Sequence, residues 1–267
     1  MYNDSVVTTR WGRVRGRTTA GGVRVFRGIR HGRDTALDRF LPPCAPAPWS
    51  DVANAFEFGP TAPQHDPESA THRADNPLPR KIGLTDNLPE SEDCLFLNVW
   101  APPARDEPPA PVMVWVHSDA FAVNSGSSPS IDGTHLAESG GVVVVSFNHR
   151  LNVLGYCHLT DDEHSPFVAA GNVGMLDIVA ALEWVRDNVT VFGQSGGAMK
   201  IATLLGMPAA GGLFHKAIMQ SGDITRARSA SEAMEATEDL CHELGLDAVD
   251  PSALQAADLR SLMRAYH

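Results

Sequence analysis

The chain has 267 residues, of which 43% are hydrophobic and 20% are charged, a composition typical of a globular protein with a sizeable core. Its formal net charge of −11 at pH 7 repels a phosphate backbone, so nucleic acid is excluded as an expected partner. The length permits one large domain, and we expect a single unit over residues 1–267.

No targeting or membrane segment is readable. Residues 1–10 lack an apolar run followed by a cleavage site, so a cytoplasmic location is expected. The longest aliphatic runs, 112–116 and 142–145, fall far short of the roughly 20 residues that span a bilayer. We therefore expect no membrane association and interpret both runs as buried strands.

The cysteines and acidic clusters do not form a metal-site pattern. Cys44, Cys94, Cys157 and Cys241 are widely scattered and form no CxxC pair, so neither a zinc site nor a disulfide framework is expected. Residues 158–164 (HLTDDEH) are the densest set of possible ligands, but they run into a Ser-Pro pair and are interpreted as a solvated loop. We expect no metal ion and no cofactor.

The first half of the chain predicts short strands followed by irregular structure. Residues 6–27 alternate apolar and polar side chains around glycine turns, which predicts an antiparallel meander. Residues 40–87 are rich in proline and have no period, so we expect them to be irregular and mostly superficial. Continuous apolar runs at 112–117 and 142–148 predict strands covered on both faces.

The second half alternates helical and strand patterns. The chain predicts a helix over 172–187 capped by Asn172, a strand over 189–192, a helix over 198–205 and a strand over 214–220. This alternation predicts an α/β fold with a mostly parallel sheet. Two further helical segments are predicted at 229–244 and 251–265.

A GxSxG motif lies between the predicted strand and helix, in the residues Gly193, Gln194, Ser195, Gly196 and Gly197. Glycines at these places allow a sharp turn that pushes the serine out at the end of the strand, an arrangement called a nucleophile elbow. The alternative is a Gly-Ser turn with no chemistry, which the strand-to-helix context disfavours.

Several separated blocks resemble the type B carboxylesterases in the order that family shows. They are 25–29 (VFRGI), 92–99 (EDCLFLNV), 125–127 (SGS), 132–133 (DG), 148–151 (NHRL), 170–172 (AGN), 191–197 (VFGQSGG) and 213–222 (LFHKAIMQSG). The resemblance covers nearly the whole chain. It implies an α/β-hydrolase fold and the hydrolysis of small-molecule carboxylic esters without a cofactor.

The resemblance also implies residue roles. Ser195 attacks the ester carbonyl, a histidine takes its proton, and a Glu or Asp orients that histidine. The backbone N–H groups of Gly196, Asp119 and Ala120 are expected to hold the oxyanion. Cys94 is expected to be a free buried thiol, because Ala62 stands where many relatives carry its partner cysteine.

Two local departures from the family pattern bear on the site. Ser118 and Asp119 replace two glycines of the oxyanion loop. The Asp119 carboxylate either opposes the developing oxyanion or turns outward, since Asp tolerates left-handed angles. A connecting loop before the elbow strand is also missing between Asn188 and Val189, so either the helix unwinds early or a segment has been lost from the gene model.

The third departure concerns the proton relay, because the family's acid and histidine lie far downstream of the serine and the sequence given ends at residue 267. We therefore expect a fold truncated after the elbow and its following strand. The downstream histidines are His215, expected to be structural, His242 on a surface helix, and His267 at the end.

Three interpretations remain. The first is a serine carboxylesterase whose relay is supplied by a missing half or by another chain, which makes a complementing carboxy-terminal chain or self-association the expected partner. The second is a non-catalytic, carboxylesterase-like binding protein, favoured by the altered loop. The third is an acyl-transfer hydrolase that uses local groups only, for which the sequence offers no residue trio.

Overall fold

The computed structural model describes residues 3–64, 88–103, 109–118, 120–128, 131–185, 188–222 and 227–266. Its strands in these ranges are β1 (Asn3–Thr8), β2 (Arg13–Thr18), β3 (Arg24–Arg30), β4 (Val52–Asn54), β5 (Phe96–Ala101), β6 (Val112–Val116), β7 (Val143–Phe147), β8 (Val189–Gln194) and β9 (Lys216–Gln220). Its α-helices there are α1 (Thr134–Gly140), α2 (Asn152–Tyr156), α3 (Val173–Trp184), α4 (Gly196–Gly206), α5 (Ala230–Glu243), α6 (Pro251–Ala256) and α7 (Leu259–Tyr266).

The strands form one mixed sheet in the order β1-β2-β3-β5-β7-β6-β8-β9, with β4 beside β2. The meander β1 to β3 is antiparallel, as predicted, and continues antiparallel through β5 to β7. From β7 through β6 and β8 to β9 the strands are parallel. The predicted α/β class is confirmed, and its parallel half carries the GxSxG motif.

The apolar runs form the centre of the sheet because both of their faces are covered. Strand β6 pairs with β7 on one side and β8 on the other, so Val114 lies level with Val145 and Val191. All three side chains are at most 1% exposed. Helices α3 and α4 add Ile178, Leu182 and Ile201 to the same cluster, and this burial of apolar surface is the main source of the cluster's stability.

Helix α3 differs from its prediction at both ends. Asn172 precedes it but makes no capping hydrogen bond, because a 3-10 turn (Ala170–Asn172) leads directly into the helix and replaces the extended cap conformation. The helix ends at Trp184, where the Val185 N–H bonds to the Ala181 carbonyl. Asn188, directly before β8, has a left-handed φ of 49°.

The prediction that residues 40–87 are mostly superficial agrees with 40–64, where most residues are exposed or half-buried, while 65–87 lie outside the described residues. Phe40 and Thr61 are fully buried. Polar side chains from the sheet region hold this irregular segment through its carbonyls: Asn148 Nδ2 donates to Pro60 at 2.9 Å and Asn152 Nδ2 to Pro63 at 2.7 Å. Hydrogen bonds of this kind produce no periodic pattern in the sequence, so the pattern does not predict them.

The carboxy-terminal part packs as helices against a second apolar cluster. Helix α5 begins at a capping box in which Ser229 and Glu232 bond reciprocally. The single helical segment predicted at 251–265 is two helices, because the Asp258 carboxylate accepts the Ser261 N–H and starts α7 anew. None of the helices in the described ranges is long and apolar enough to cross a membrane.

Candidate active site

Ser195 lies at a strained turn between β8 and α4. Its φ is 52° and its ψ is −120°, a backbone conformation uncommon for a residue with a side chain. The Ser195 N–H donates to the Gln220 carbonyl of β9 at 2.8 Å, and its carbonyl accepts the Met199 N–H at 3.0 Å. These bonds anchor the turn to the next strand and to the helix, so the serine side chain projects at the carboxyl end of β8.

Glycine is required on both sides of the serine because the backbone of β6 comes very close. A methyl group on Gly197 would stand 2.1 Å from the Val116 carbonyl oxygen, and one on Gly193 would stand 2.8 Å from the same atom. No side chain is tolerated at such distances without movement of the backbone. The glycines that the sequence singled out therefore allow the close packing of the elbow onto β6.

The Ser195 hydroxyl is half-buried and does not cap α4. The first N–H groups of a helix have no partner within the helix and carry a partial positive charge. The hydroxyl therefore sits beside the amino terminus of α4, where negative charge is favoured.

The loop after β6 reaches the elbow. Ala120 has a left-handed φ of 52°, and its backbone nitrogen lies 2.2 Å from where a methyl group on Gly196 would be. Two of the three expected oxyanion donors, Ala120 and Gly196, are thus brought side by side. Asp119, the third, lies outside the described residues.

Two buried histidines lie beneath this loop. The rings of His117 and His149 stack with centroids 4.6 Å apart, and both side chains are at most 1% exposed. Burial lowers the pKa of each well below its usual value, and the Lys200 cation lowers both further. Both rings are therefore neutral near pH 7. Their Nδ1 atoms bond to the carbonyls of Ser118 and Arg150.

No imidazole of the described residues lies within hydrogen-bond distance of the Ser195 hydroxyl. His215 was predicted to be structural. The Val189 N–H donates to its Nδ1 at 3.2 Å, and the His215 backbone N–H donates to the Val189 carbonyl at 2.9 Å. His242 is exposed on α5, as predicted. His267 lies outside the described residues.

Cys94 and the acidic loop 158–164 have the structures that the sequence predicts. Cys94 is a fully buried free thiol, and burial raises its pKa. The acidic residues 161–163 are exposed, and in that loop His158 Nε2 contacts Asp161 Oδ1 at 3.1 Å. This loop lies on the surface, as the sequence suggested.

Sequence reasoning missed Lys200. Its side chain is fully buried on α4, its Nζ donates to the His117 carbonyl at 3.1 Å, and the same nitrogen lies 5.6 Å from the centre of the Phe121 ring. The only signal for it in the sequence is a lysine inside an otherwise apolar helix. The structure places this cation against the loop that reaches the elbow.

Comparison with known proteins gives a consistent result. The model of the carboxylesterase family matches residues 3–266. The chain is 39% identical over 273 residues to the para-nitrobenzyl esterase of Bacillus subtilis, covering 97% of this chain and 52% of that protein. It is 43% identical over 241 residues to human carboxylesterase 3, covering 82% and 39%.

Solved structures agree with these sequence matches. A carboxylesterase of Geobacillus stearothermophilus superposes with a TM-score of 0.84 at 40% identity, covering 98% of this chain and 54% of that one. A PNB esterase superposes with a TM-score of 0.83 at 37% identity, covering 99% and 53%. The chain thus spans about half the length of these two relatives, and its fold is that of the α/β-hydrolases. It belongs to the carboxylesterase family.

Proposed function

We propose that this chain supplies the nucleophile and the oxyanion-binding backbone of a serine carboxylic ester hydrolase. The observation that carries the proposal is the strained turn at Ser195, with Gly196 packed against Ala120. A serine at the amino terminus of a helix, with a backbone nitrogen of a second segment packed beside it, suits attack on an acyl carbon. The proposed substrate is a small carboxylic ester, as the names of the relatives suggest.

In the proposed reaction the Ser195 Oγ bonds to the ester carbonyl carbon while its proton passes to a base. The carbonyl oxygen becomes an oxyanion that accepts hydrogen bonds from the N–H groups of Gly196 and Ala120. Collapse of this intermediate breaks the bond to the alcohol oxygen, which leaves with the proton. Water then attacks the acyl-serine, releases the acid and restores the hydroxyl.

The base and the acid that orients it are proposed to come from outside the described residues, from a carboxy-terminal half of the same protein or from a complementing chain. His117 and His149 do not suit that role, because both rings are buried and neither is hydrogen-bonded to the Ser195 hydroxyl. In this proposal the chain supplies the nucleophile and the oxyanion donors, and the base and the acid come from elsewhere.

One observation favours a second candidate, a carboxylesterase-like protein that binds without catalysis. Ser118 and Asp119 replace the glycines of the oxyanion loop, and a carboxylate there would oppose the developing charge if it faced inward. A binding protein needs no reactive serine, so the reactivity of Ser195 separates the two candidates.

The test is covalent labelling with a fluorophosphonate after addition of the carboxy-terminal half of the Bacillus subtilis para-nitrobenzyl esterase, because the base is proposed to come from outside the described residues. The modified peptide is identified by mass spectrometry. We expect one adduct, on Ser195, and none in Ser195→Ala. Ser221 is the matched control because it too has a left-handed φ, 54°, at the end of a strand, and Ser221→Ala should be labelled like the wild type. Equal labelling of the wild type and Ser195→Ala would contradict the proposed function and favour the binding protein.

A further inference from the structure

Lys200 lies on the face of α4 that meets the loop 117–121. Residues four apart share a helix face, and helical side chains point back toward the amino terminus. Lys200 is four residues after Gly196, so its side chain is directed toward the turn that contacts Ala120. Gly196 meets Ala120, Gly197 meets the carbonyls of Val116 and His117, and Lys200 meets His117 and Phe121. One face of α4 thus contacts the loop at His117, Ala120 and Phe121.

The loop needs such a restraint because its backbone is strained. Ala120 has a φ of 52°, and a non-glycine residue without a polar side chain keeps such an angle only when its surroundings enforce it. Glycine would adopt the same angles without strain. The chain carries Ser118, Asp119 and Ala120 in this loop, so the conformation that aims the Ala120 N–H has to be held by contacts with its neighbours.

Burying a lysine costs free energy, and the contacts of Lys200 with the loop offset that cost. A fully buried ammonium group is retained only where its hydrogen bonds and charge are satisfied. Lys200 Nζ bonds to the His117 carbonyl before the loop turns and faces the Phe121 ring after it. A hydrogen bond from a charged donor and a cation–π contact are both stronger away from water. The ammonium therefore joins the two ends of the loop to each other and to α4.

We propose that Lys200 is a positioning residue that holds the loop 117–121 in the conformation that presents the Ala120 N–H to the oxyanion formed at Ser195. Lys200 acts through His117 and Phe121 and does not touch the substrate. The inference rests on the proposed function for its catalytic consequence, whereas the restraint on the loop is a property of the chain itself.

The experiment measures the loop and the serine separately. Lys200→Met keeps the length of the side chain and removes the charge and the donor, while Lys200→Gln keeps a donor for the His117 carbonyl. Thr203→Val is the control, because it removes a hydrogen bond to the Met199 carbonyl within the same helix and away from the loop. Amide hydrogen exchange is followed in the peptides that cover residues 116–123, and fluorophosphonate labelling gives kinact and KI.

We expect Lys200→Met to speed exchange in the loop selectively and to lower kinact about tenfold or more, a part of what losing one oxyanion donor costs, with KI little changed. Lys200→Gln should recover most of kinact, and Thr203→Val should behave like the wild type. Wild-type exchange and kinact in a folded Lys200→Met would overturn the proposal. So would faster exchange spread evenly over the chain, or failure of both Lys200 variants to fold, since either would mark Lys200 as a core residue only.

The result for the proposed function is read independently. All labelling is measured with the added carboxy-terminal half present, which is to supply the base. If the wild type is then not labelled at Ser195, the proposed function fails, and exchange in the loop of Lys200→Met still decides whether Lys200 restrains it.

Discussion

Gly196 and Ala120 touch through their backbones: a methyl group on Gly196 would stand 2.2 Å from the Ala120 nitrogen and 2.6 Å from its Cα. Both contacts are with main-chain atoms, so the loop has to move if a side chain is added. This contact joins the turn that carries the proposed nucleophile to the loop that carries the second proposed oxyanion donor.

Gly196→Ala is therefore expected to displace Ala120 and weaken the oxyanion site while the fold persists. We predict that fluorophosphonate labelling of Ser195 slows by about tenfold or more, since removing one oxyanion donor costs about 10² to 10³ in turnover. Gly206→Ala is the matched control in the same helix, because a methyl group there meets nothing within 4 Å. Wild-type labelling by a folded Gly196→Ala would show that Ala120 has no part in the site.

The elbow could be predicted from the sequence because glycines, strand pattern and helix pattern agree over ten neighbouring residues. The contact between Gly196 and Ala120 joins residues far apart in the chain, and only the family resemblance suggested it. The burial of Lys200 could not be predicted, since lysine is rarely fully buried and a single charged residue in a helix pattern indicates its solvent face.

Two local features could not be predicted from the pattern of residues. Phe40 packs into the core from an irregular segment, and no periodicity marks such a residue. The break between α6 and α7 had a signal, since Asp258 stands three residues before Ser261 and accepts its N–H, but a helical composition on both sides concealed this cap.

Removing one charge of the buried ion pair of Arg150 and Asp177 is expected to destabilise the fold strongly. Arg150 Nη2 lies 2.7 Å from Asp177 Oδ1, and the two side chains are 2% and 0% exposed. Asp177→Asn leaves the guanidinium buried without its counter-charge, so we predict a loss of about 3–5 kcal/mol in the free energy of unfolding.

The control for this change is Asp4→Asn, which removes an exposed partner, 57% accessible, that lies 3.8 Å from Arg15. It should cost less than about 1 kcal/mol. Urea unfolding of both variants makes the comparison, and equal losses would contradict the assignment of Arg150 and Asp177 as a structural pair.

Stability is predicted to fall in mild acid because burial lowers the pKa values of His31, His117 and His149, and His31 is the one that lies away from the loop 117–121. This ring is 3% exposed, its Nε2–H donates to the Asn148 carbonyl at 3.0 Å, and burial lowers its pKa to about 4. Its unfolded pKa is about 6.5. Between these two values the unfolded chain binds a proton that the folded chain does not, so stability is present above pH 6.5 and is lost as the pH falls toward 4.

At pH 5 this loss amounts to about 2 kcal/mol for His31, at 1.36 kcal/mol for each unit below about 6.5. His31→Gln should reduce the difference between urea midpoints at pH 7 and pH 5, whereas replacing the exposed His164 by Gln should leave it unchanged. A pH dependence that His31→Gln does not alter would show that another group titrates.

The outer strand β9 is expected to cause self-association. All five of its residues are exposed, with Ile218 at 44% and Met219 at 45%, and within the described ranges β9 pairs with β8 alone. Such an uncovered apolar edge favours pairing with another chain. Sedimentation velocity should show dimers or larger species, and Ile218→Lys should shift the chain toward monomer.

Leu37→Lys is the control for this test, since Leu37 is 70% exposed and lies in the 3-10 turn (Thr35–Asp38) after β3, a strand that four others separate from β9 in the sheet. Its sedimentation should match that of the wild type. A wild-type chain that sediments as a single monomeric species and melts cooperatively would show that the exposed edge of β9 does not cause self-association.

The most direct test of the central claim, that Ser195 carries ester hydrolysis and lacks its base within the described residues, is p-nitrophenyl butyrate hydrolysis. The wild type and Ser195→Ala are compared alone and after addition of the carboxy-terminal half of the Bacillus subtilis para-nitrobenzyl esterase. We predict weak release of p-nitrophenol by the wild type alone and a Ser195-dependent increase with the added half. Robust turnover by the chain alone, abolished in Ser195→Ala, would contradict the missing base, and turnover equal in the two proteins under both conditions would contradict the role of Ser195.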